Sequence, residues 1–182
     1  GAYSVFSSDI DNDGDIDIFS ASVNDDAIAW YENDGATDPS WAAADIATSA
    51  DATRSVFVAD MDNDGDMDIV SASSDDNTIA WYENDGATNP SWAASDISTS
   101  ADFATSVFVA DMDSDGDMDI VSASANDDAV SIYINNGASD PSWSVSDIST
   151  DANGARGVFI ADIDNDGDLD IISASENDDK IA

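Results

Sequence analysis

Aspartate residues alternate along four nine-residue segments, and these segments hold the side chains best suited to chemistry. In the second segment, residues 60–68, Asp occupies positions 1, 3, 5, 7 and 9, and Gly occupies position 6. Carboxylates gathered in such a turn repel one another: at about 4 Å and an effective dielectric constant of about 20, each pair costs about 4 kcal/mol. A hard divalent cation bound among them would convert that repulsion into attraction.

Calcium is the cation that this donor set fits best. Ca²⁺ takes about 6–8 oxygen ligands in irregular geometry, whereas Mg²⁺ demands a strict octahedron and keeps its waters. Softer metals favour His or Cys, and the chain has neither. Gly at position 6 permits the sharp bend that returns the chain to the ion. We therefore predict about four Ca²⁺ ions, one for each segment; a solvated Asp-rich turn without metal remains the alternative.

The segments resemble the start of an EF-hand loop, but they close differently. An EF-hand has Glu at position 12 and a helix on either side, whereas position 12 here is Ser in all four copies. We therefore assign the closing ligand to position 9, with side-chain oxygens from positions 1, 3 and 5 and the backbone carbonyl from position 7. The predicted metal-binding residues are Asp9, Asp11, Asp13, Asp15, Asp17, Asp60, Asp62, Asp64, Asp66, Asp68, Asp111, Asp113, Asp115, Asp117, Asp119, Asp162, Asp164, Asp166, Asp168 and Asp170.

The overall composition excludes several classes of function. The chain of 182 residues carries 41 acidic and three basic side chains, a formal net charge of -38. Binding to nucleic acid requires clustered Lys and Arg, so we expect no nucleic-acid partner. No apolar run approaches the roughly 20 residues that span a bilayer, so we expect no membrane insertion. A Ser-His-Asp triad is impossible without His.

The four acidic segments mark a tandem repeat of 51 residues. They begin at Asp9, Asp60, Asp111 and Asp162, and Trp41, Trp92 and Trp143 keep the same period. We predict three repeats at residues 1–50, 51–101 and 102–152 and a partial fourth at residues 153–182.

Each repeat has the features of four short strands. In the second copy, the run from Ser55 to Ala59 suits a strand buried on both faces, and the run from Thr78 to Asn84 is β-branched and aromatic. Met67 to Ser73 and Ser91 to Ser98 complete the set, and no window has helical periodicity. Four antiparallel strands per repeat are typical of a propeller blade. We predict an all-β fold, a β-propeller of about 3.5 four-stranded antiparallel blades, with the strand at Ser55 innermost and the strand at Trp92 outermost.

The run Val-Phe-Val-Ala-Asp-Met-Asp-Asn-Asp-Gly-Asp-Met-Asp, followed by Ile-Ala-Trp-Tyr-Glu-Asn-Asp-Gly, resembles the FG-GAP/VCBS repeat. This resemblance is to the blades of integrin α-subunit propellers and of bacterial and algal surface proteins. It implies a calcium-stabilised propeller that serves in extracellular adhesion or ligand binding. The third copy departs from the pattern, with Ile132-Tyr133-Ile134-Asn135 in place of Trp-Tyr-Glu-Asn.

Several functions agree with these features. We favour a calcium-binding, non-enzymatic extracellular module with a structural, adhesion or ligand-binding role. The alternatives are a lectin-like propeller that uses the recurrent Trp and Tyr, and a repeat subunit of an extracellular filament or surface layer. Paired Asp side chains recur at the turn before each third strand, which favours a turn motif over a catalytic pair. The expected partners are further blades or identical chains that complete the assembly, and glycans or surface proteins.

Overall fold

Every regular element of the protein is a β-strand, and the computed structural model describes all 182 residues. The strands form four antiparallel sheets in chain order, three with four strands and the last with three. Their bounds are β1 Ala2–Ser8, β2 Asp17–Ser22, β3 Ala27–Asn33, β4 Trp41–Ala47, β5 Thr53–Ala59, β6 Asp68–Ser73, β7 Thr78–Asn84, β8 Trp92–Ser98, β9 Ala104–Ala110, β10 Asp119–Ser124, β11 Ala129–Asn135, β12 Trp143–Ser149, β13 Ala155–Ala161, β14 Asp170–Ser175 and β15 Lys180–Ile181.

These sheets are the blades of a β-propeller, which confirms the predicted fold class. The first strand of each blade is innermost: β1 packs on β5, β5 on β9, and β9 on β13. One Phe from each inner strand contacts the next, with ring centroids 4.7, 4.8 and 5.0 Å apart along the series Phe6, Phe57, Phe108 and Phe159. The fourth strand of each complete blade is outermost and begins at a Trp.

The hydrophobic core lies between the blades. Strand β6 is buried along its whole length, and alternate side chains face opposite neighbours. Ile69 packs in a cluster with Phe19 and Trp30 of the first blade, while Val70 packs with Ile120 of the third. A nearly continuous apolar run is what a strand covered on both faces requires.

The first and last blades each have one face that no neighbouring blade covers. Val5 is 69% exposed, whereas the equivalent Val56 in the second blade is 3% exposed. At the other end, Phe159 and Ile181 are 53% and 81% exposed, whereas Ile79, the counterpart of Ile181 in the second blade, is fully buried. Equivalent residues are therefore buried in the core in the inner blades and exposed at the surface in the end blades.

The antiparallel connections give the propeller two distinct edges. The acidic segments join the first and second strands of each blade, and with the connections after the third strands they form one edge, here called the loop edge. The turns between second and third strands, and the linkers between blades, form the opposite edge, called the turn edge. No helix suited to crossing a bilayer occurs in the chain.

Candidate metal centre

The backbone of each acidic segment is bent at positions 4 and 6. In the segment 60–68, called loop 2, both residues are left-handed: Asn63 has φ 61° and Gly65 has φ 98°. A Cβ added at Gly65 would meet nothing within 4 Å. The requirement for Gly is therefore one of backbone conformation and not of space. The other three segments, loop 1 (9–17), loop 3 (111–119) and loop 4 (162–170), share this bend.

Backbone donors organise the carboxylates of loop 2. The Gly65 amide donates to Asp60 Oδ2 at 3.1 Å, and the Asp64 amide donates to Asp62 Oδ1 at 3.2 Å. Asp60 Oδ1, by contrast, is buried and has no hydrogen-bond partner. A buried oxygen that carries negative charge is costly to leave unpaired. This oxygen fits the role of a cation ligand, because a cation would supply the missing interaction.

Three carboxylates converge in every loop, with oxygens within 4.8 Å of one another. Positions 1 and 3 belong to all four groups, whereas the third member is position 5 in loops 1 and 3 and position 9 in loops 2 and 4. Position 7 belongs to none. Oxygens at this spacing can hold a metal ion. The groups are Asp9, Asp11 and Asp13; Asp60, Asp62 and Asp68; Asp111, Asp113 and Asp115; and Asp162, Asp164 and Asp170.

The Asp at position 9 anchors loops 1, 2 and 3 to their blades. Asp68 is 1% exposed; its Oδ2 accepts from the Met61 amide at 3.0 Å and its Oδ1 from the Asn84 amide at 2.8 Å. The same pair of bonds recurs around Asp17 and Asp119. Position 9 therefore fixes the loop to the end of the third strand of its blade, a role that the prediction of a closing ligand did not include.

Burial raises the pKa of several loop carboxyls. The pKa of Asp68 is raised from its ordinary value of 3.8 to about 7, chiefly because burial penalises the charged form. Burial also raises the pKa of Asp62 and of Asp119, and a smaller contribution in the same direction comes from neighbouring carboxylates. Without a cation, these groups resist ionisation.

The sequence matches a family model in three overlapping stretches, at residues 9–71, 60–122 and 111–173. The chain belongs to the FG-GAP-like repeat family. Each stretch runs from one acidic loop into the second strand of the next blade. The resemblance predicted from the loop and strand motifs is thus confirmed.

Among solved structures, a lectin from Agrocybe aegerita, described as recognising non-reducing terminal N-acetylglucosamine, is similar to this FG-GAP-like repeat chain. The TM-score is 0.62 at 21% sequence identity, over 93% of this chain and 46% of the lectin chain. At this identity the likeness concerns the fold, and the chain spans less than half the length of the lectin. No curated protein matches the chain.

Adjacent FG-GAP-like repeats are joined through their loops, a feature that the sequence analysis did not predict. The Asn12 side-chain amide in loop 1 donates to Asp66 Oδ1 in loop 2 at 3.0 Å. Asn63 in loop 2 makes the same bond to Asp117 in loop 3 at 2.6 Å. Loop 3 has Ser114 at this position. Position 4 of loops 1 and 2 thus binds position 7 of the next loop, a carboxylate that lies outside the convergent groups.

The connection after the third strand reinforces these joints. The Asn84 side-chain amide donates to the Met67 carbonyl of its own loop and to the Ile10 carbonyl of the preceding loop, at 3.0 and 3.1 Å. Two residues later, a Cβ at Gly86 would lie 2.1 Å from Asp66 Oδ2. Gly86 therefore admits the carboxylate that Asn12 binds.

The paired Asp side chains at the turn edge hold neighbouring blades together. Asp26 Oδ1 accepts from the Ala52 amide at 3.0 Å, and Asp128 Oδ1 accepts from the Gly154 amide at 2.8 Å. Asn77 does the same for Phe103 at 2.9 Å. The neutral amide of Asn77 thus replaces a carboxylate, so these bonds depend on the oxygen acceptor and do not depend on acid chemistry.

Proposed function

We propose that the protein is a calcium-stabilised, non-enzymatic propeller module of an extracellular or cell-surface protein, in which Ca²⁺ binds each acidic loop. The observation that carries this proposal is the fourfold convergence of carboxylate oxygens within 4.8 Å, together with the buried, unpartnered Asp60 Oδ1. Calcium sites of extracellular modules have dissociation constants of about 10⁻⁴–10⁻³ M, which suits the calcium level outside cells.

Within each loop, the chain itself supplies most of the organisation. Positions 1 and 3 present oxygens from just before the bend, and backbone amides orient them. In loops 1 to 3, position 9 lies beyond the bend and fixes the loop to its blade. Bound Ca²⁺ neutralises the charge and links the first strand of the blade to the second. Since oxygen ligands alone are available, Ca²⁺ is preferred over transition metals.

A chelation experiment tests this function. Ca²⁺ should raise the melting temperature of chelator-treated protein strongly and saturably, calorimetry should count about four sites, and Mg²⁺ should bind more weakly. A variant with Asp11, Asp62, Asp113 and Asp164 all changed to Asn should lose the response. A control variant removes the same charge by changing four exposed acids outside the loops to Asn, and it should keep the response to Ca²⁺. The four control positions are Asp38, Asp51, Asp140 and Asp151. A response lost equally in both variants would contradict site-specific binding.

A cleft between blades favours carbohydrate binding as a second candidate function. The cleft lies between the first and second blades and has a volume of about 340 Å³; Trp92, Tyr82, Asp76 and Asp96 are among its lining residues. An equivalent cleft of about 310 Å³ lies between the third and fourth blades and includes Asp178 and Lys180. An aromatic face beside carboxylates suits a sugar ring with its hydroxyl groups.

The lectin hypothesis has a direct test. The ligand of the Agrocybe aegerita lectin, N-acetylglucosamine, is the first sugar to titrate, followed by a glycan array in millimolar Ca²⁺. Trp92→Ala should abolish binding in this cleft, whereas Trp41→Ala should not, because Trp41 lies on the first blade, which has no preceding neighbour. Absence of binding to every glycan would contradict the hypothesis.

The uncovered faces of the end blades favour an assembly role as well. The first blade exposes the face that the second blade buries, and the last blade exposes the opposite one. Further blades or identical chains would cover both by repeating the internal interfaces. Sedimentation in Ca²⁺ at increasing concentration tests assembly of this chain, and a monomer at all concentrations would contradict a filament or surface layer.

A further inference from the structure

Arg54 is unusual in a chain of this charge. Only three basic side chains are present among 41 acidic ones, and the other two form ion pairs, Arg156 with Glu176 at 2.5 Å and Lys180 with Asp178 at 2.8 Å. Arg54 forms none, and its buried Nε has no hydrogen-bond partner. Arg54 thus has no carboxylate partner, although acidic side chains far outnumber basic ones in the chain.

Aromatic rings take the place of carboxylates around this guanidinium. Arg54 Cζ lies 4.5 Å from the ring centroid of Phe103 and 5.2 Å from that of Tyr3. Arg156 Cζ lies 5.5 Å from the same Phe103 ring. Cation–π contacts hold a guanidinium in place without using its N–H donors. The terminal Nη groups of Arg54 make no hydrogen bond within the protein, so they, and not the buried Nε, are the donors that can meet an acceptor.

The side chains of this cluster come from irregular positions in the inner strands. The pairing of β5 with β6 steps from Thr53 opposite Ser73 to Ser55 opposite Ala72, which leaves Arg54 as the extra residue of a β-bulge. Tyr3 and Arg156 are the corresponding extra residues of β1 and β13. Bulges redirect side chains and are over-represented beside functional sites.

Phe103 adopts a backbone conformation that is unfavourable for its type. Its φ is 59°, in the left-handed region, where the equivalent residues of the second and fourth repeats are Ala52 and Gly154. Gly tolerates this conformation and a bulky side chain does not. Strained residues of this kind concentrate at ligand sites, where they hold a group in a required position. Here the strain places one ring beside two guanidinium groups.

The acidic loops contribute little charge at this place. Arg54 lies at the start of β5, and Asp60 follows its end, so the two are separated by about 20 Å of extended strand. The Debye length is about 8 Å at physiological ionic strength. The charge of loop 2 is therefore largely screened at the turn edge.

We propose that Tyr3, Arg54, Phe103 and Arg156 form a binding site for a ligand that carries a carboxylate group, at the turn edge and beside the propeller axis. A carboxylate matches the bidentate donor fork of Arg. Tyr3 is 62% exposed and offers a flat face to the ring of a sugar acid. The site is on the opposite edge from the acidic loops and does not depend on the proposed calcium function.

Titration with three compounds tests the site at fixed free Ca²⁺. Glucuronate carries both ring and carboxylate, acetate carries the carboxylate alone, and glucose is the neutral control. Calorimetry and the NMR signal of the Arg54 Nε–H group report binding. The main variant is Arg54→Thr, because the third repeat has Thr105 at this position, where its hydroxyl lies 3.0 Å from both the Ala123 and the Ala155 carbonyl oxygens and can donate to either. Phe103→Gly is a second variant that the fold tolerates, since the fourth repeat has Gly154.

Glucuronate should bind saturably, glucose should not, and Arg54→Thr should weaken glucuronate at least about tenfold, as loss of a charge-assisted hydrogen bond does. Phe103→Gly should also weaken glucuronate binding, because Arg54 then lacks the ring that holds its guanidinium in place. Thr37→Asp, at an exposed position of the loop edge, lowers the net charge by the same one unit and should leave binding unchanged. If acetate binds as tightly as glucuronate, the site recognises the carboxylate group alone. If glucuronate binds more tightly than acetate, the ring contributes as well and the ligand is a sugar acid. Absence of saturable binding up to tens of millimolar, or equal weakening in Arg54→Thr and Thr37→Asp, would overturn the proposal.

Discussion

Loops 2 and 4 share the same arrangement of acids but have different surroundings. In loop 2, which has a following blade, Asp68 is 1% exposed and Met61 is fully buried. In loop 4, Asp170 is partly exposed, and Ile163, the counterpart of Met61, is 56% exposed. The same acidic loop is thus a buried centre when it lies in the middle of the row of blades and an exposed turn when it lies at the end.

The difference shows that neighbouring blades, and not the loop sequence alone, organise the site. Loop 2 accepts a side-chain hydrogen bond from Asn12 of loop 1, and its own Asn63 donates one to loop 3. Asn165 in loop 4 has no following blade to which it could donate. A loop already held in shape loses less conformational entropy when an ion binds. We therefore expect loop 2 to bind Ca²⁺ more tightly than loop 4.

Truncating position 2 of each loop should give the largest contrast. Met61→Ala removes a fully buried side chain and should lower the free energy of unfolding by about 2–5 kcal/mol. Ile163→Ala should lower it by less than about 1 kcal/mol, because more than half of that side chain already contacts water. Urea denaturation in Ca²⁺ measures both, and equal losses would mean that the end blade is covered in solution.

Removing a ligand from each loop should show the difference in metal affinity. With Ca²⁺ at about ten times the dissociation constant, one site stabilises the fold by about 1.4 kcal/mol. At such a Ca²⁺ concentration, Asp62→Asn should reduce the Ca²⁺-dependent stabilisation by about this amount. Asp164→Asn should reduce it by less at the same concentration, because the weaker site in loop 4 is not yet filled. Thermal melting at several Ca²⁺ concentrations provides the measurement. A larger loss for Asp164→Asn would reverse the proposed ranking.

The buried carboxyl of loop 2 should make metal-free protein less stable as pH rises. Burial raises the pKa of Asp68 to about 7, so the folded state holds a proton that the unfolded state releases above pH 3.8. This stabilisation is complete below pH 3.8 and is lost as pH rises through about 7, with a slope of up to about 1.4 kcal/mol per pH unit. Denaturation of chelator-treated protein at about pH 5 and about pH 7 measures it. In saturating Ca²⁺ the slope should reverse, because binding requires ionised ligands; the same slope in both conditions would exclude loop carboxyls as its source.

Replacing the Asn that joins adjacent loops should have the smallest effect. Asn63→Ser, which copies Ser114, removes the bond to Asp117 and should cost about 1 kcal/mol. Asn165→Ser should cost less, because position 4 of loop 4 has no following blade. If Asn63→Ser also weakens Ca²⁺ binding in loop 3, the joint transmits order between sites; an unchanged affinity there would limit it to stability.

The sequence was sufficient to predict the strands and loops that repeat in every blade. The period of 51 residues, the alternating acids and the run Ser55 to Ala59 predict the strands, their order and the loops, because these depend on local periodicity and turn chemistry. The contacts between blades were not predictable. The bond from Asn12 to Asp66 spans 54 residues, and nothing local distinguishes it from the same Asn serving only as a left-handed turn residue.

The uncovered faces also bear on how such a chain can change its length. Because every internal interface joins the same two kinds of face, removal or duplication of one 51-residue unit brings together surfaces that already fit. Unequal recombination between near-identical gene segments would then yield variants with fewer or more blades and no new packing problem to solve. Blade number is thus a quantity that selection can adjust in whole steps.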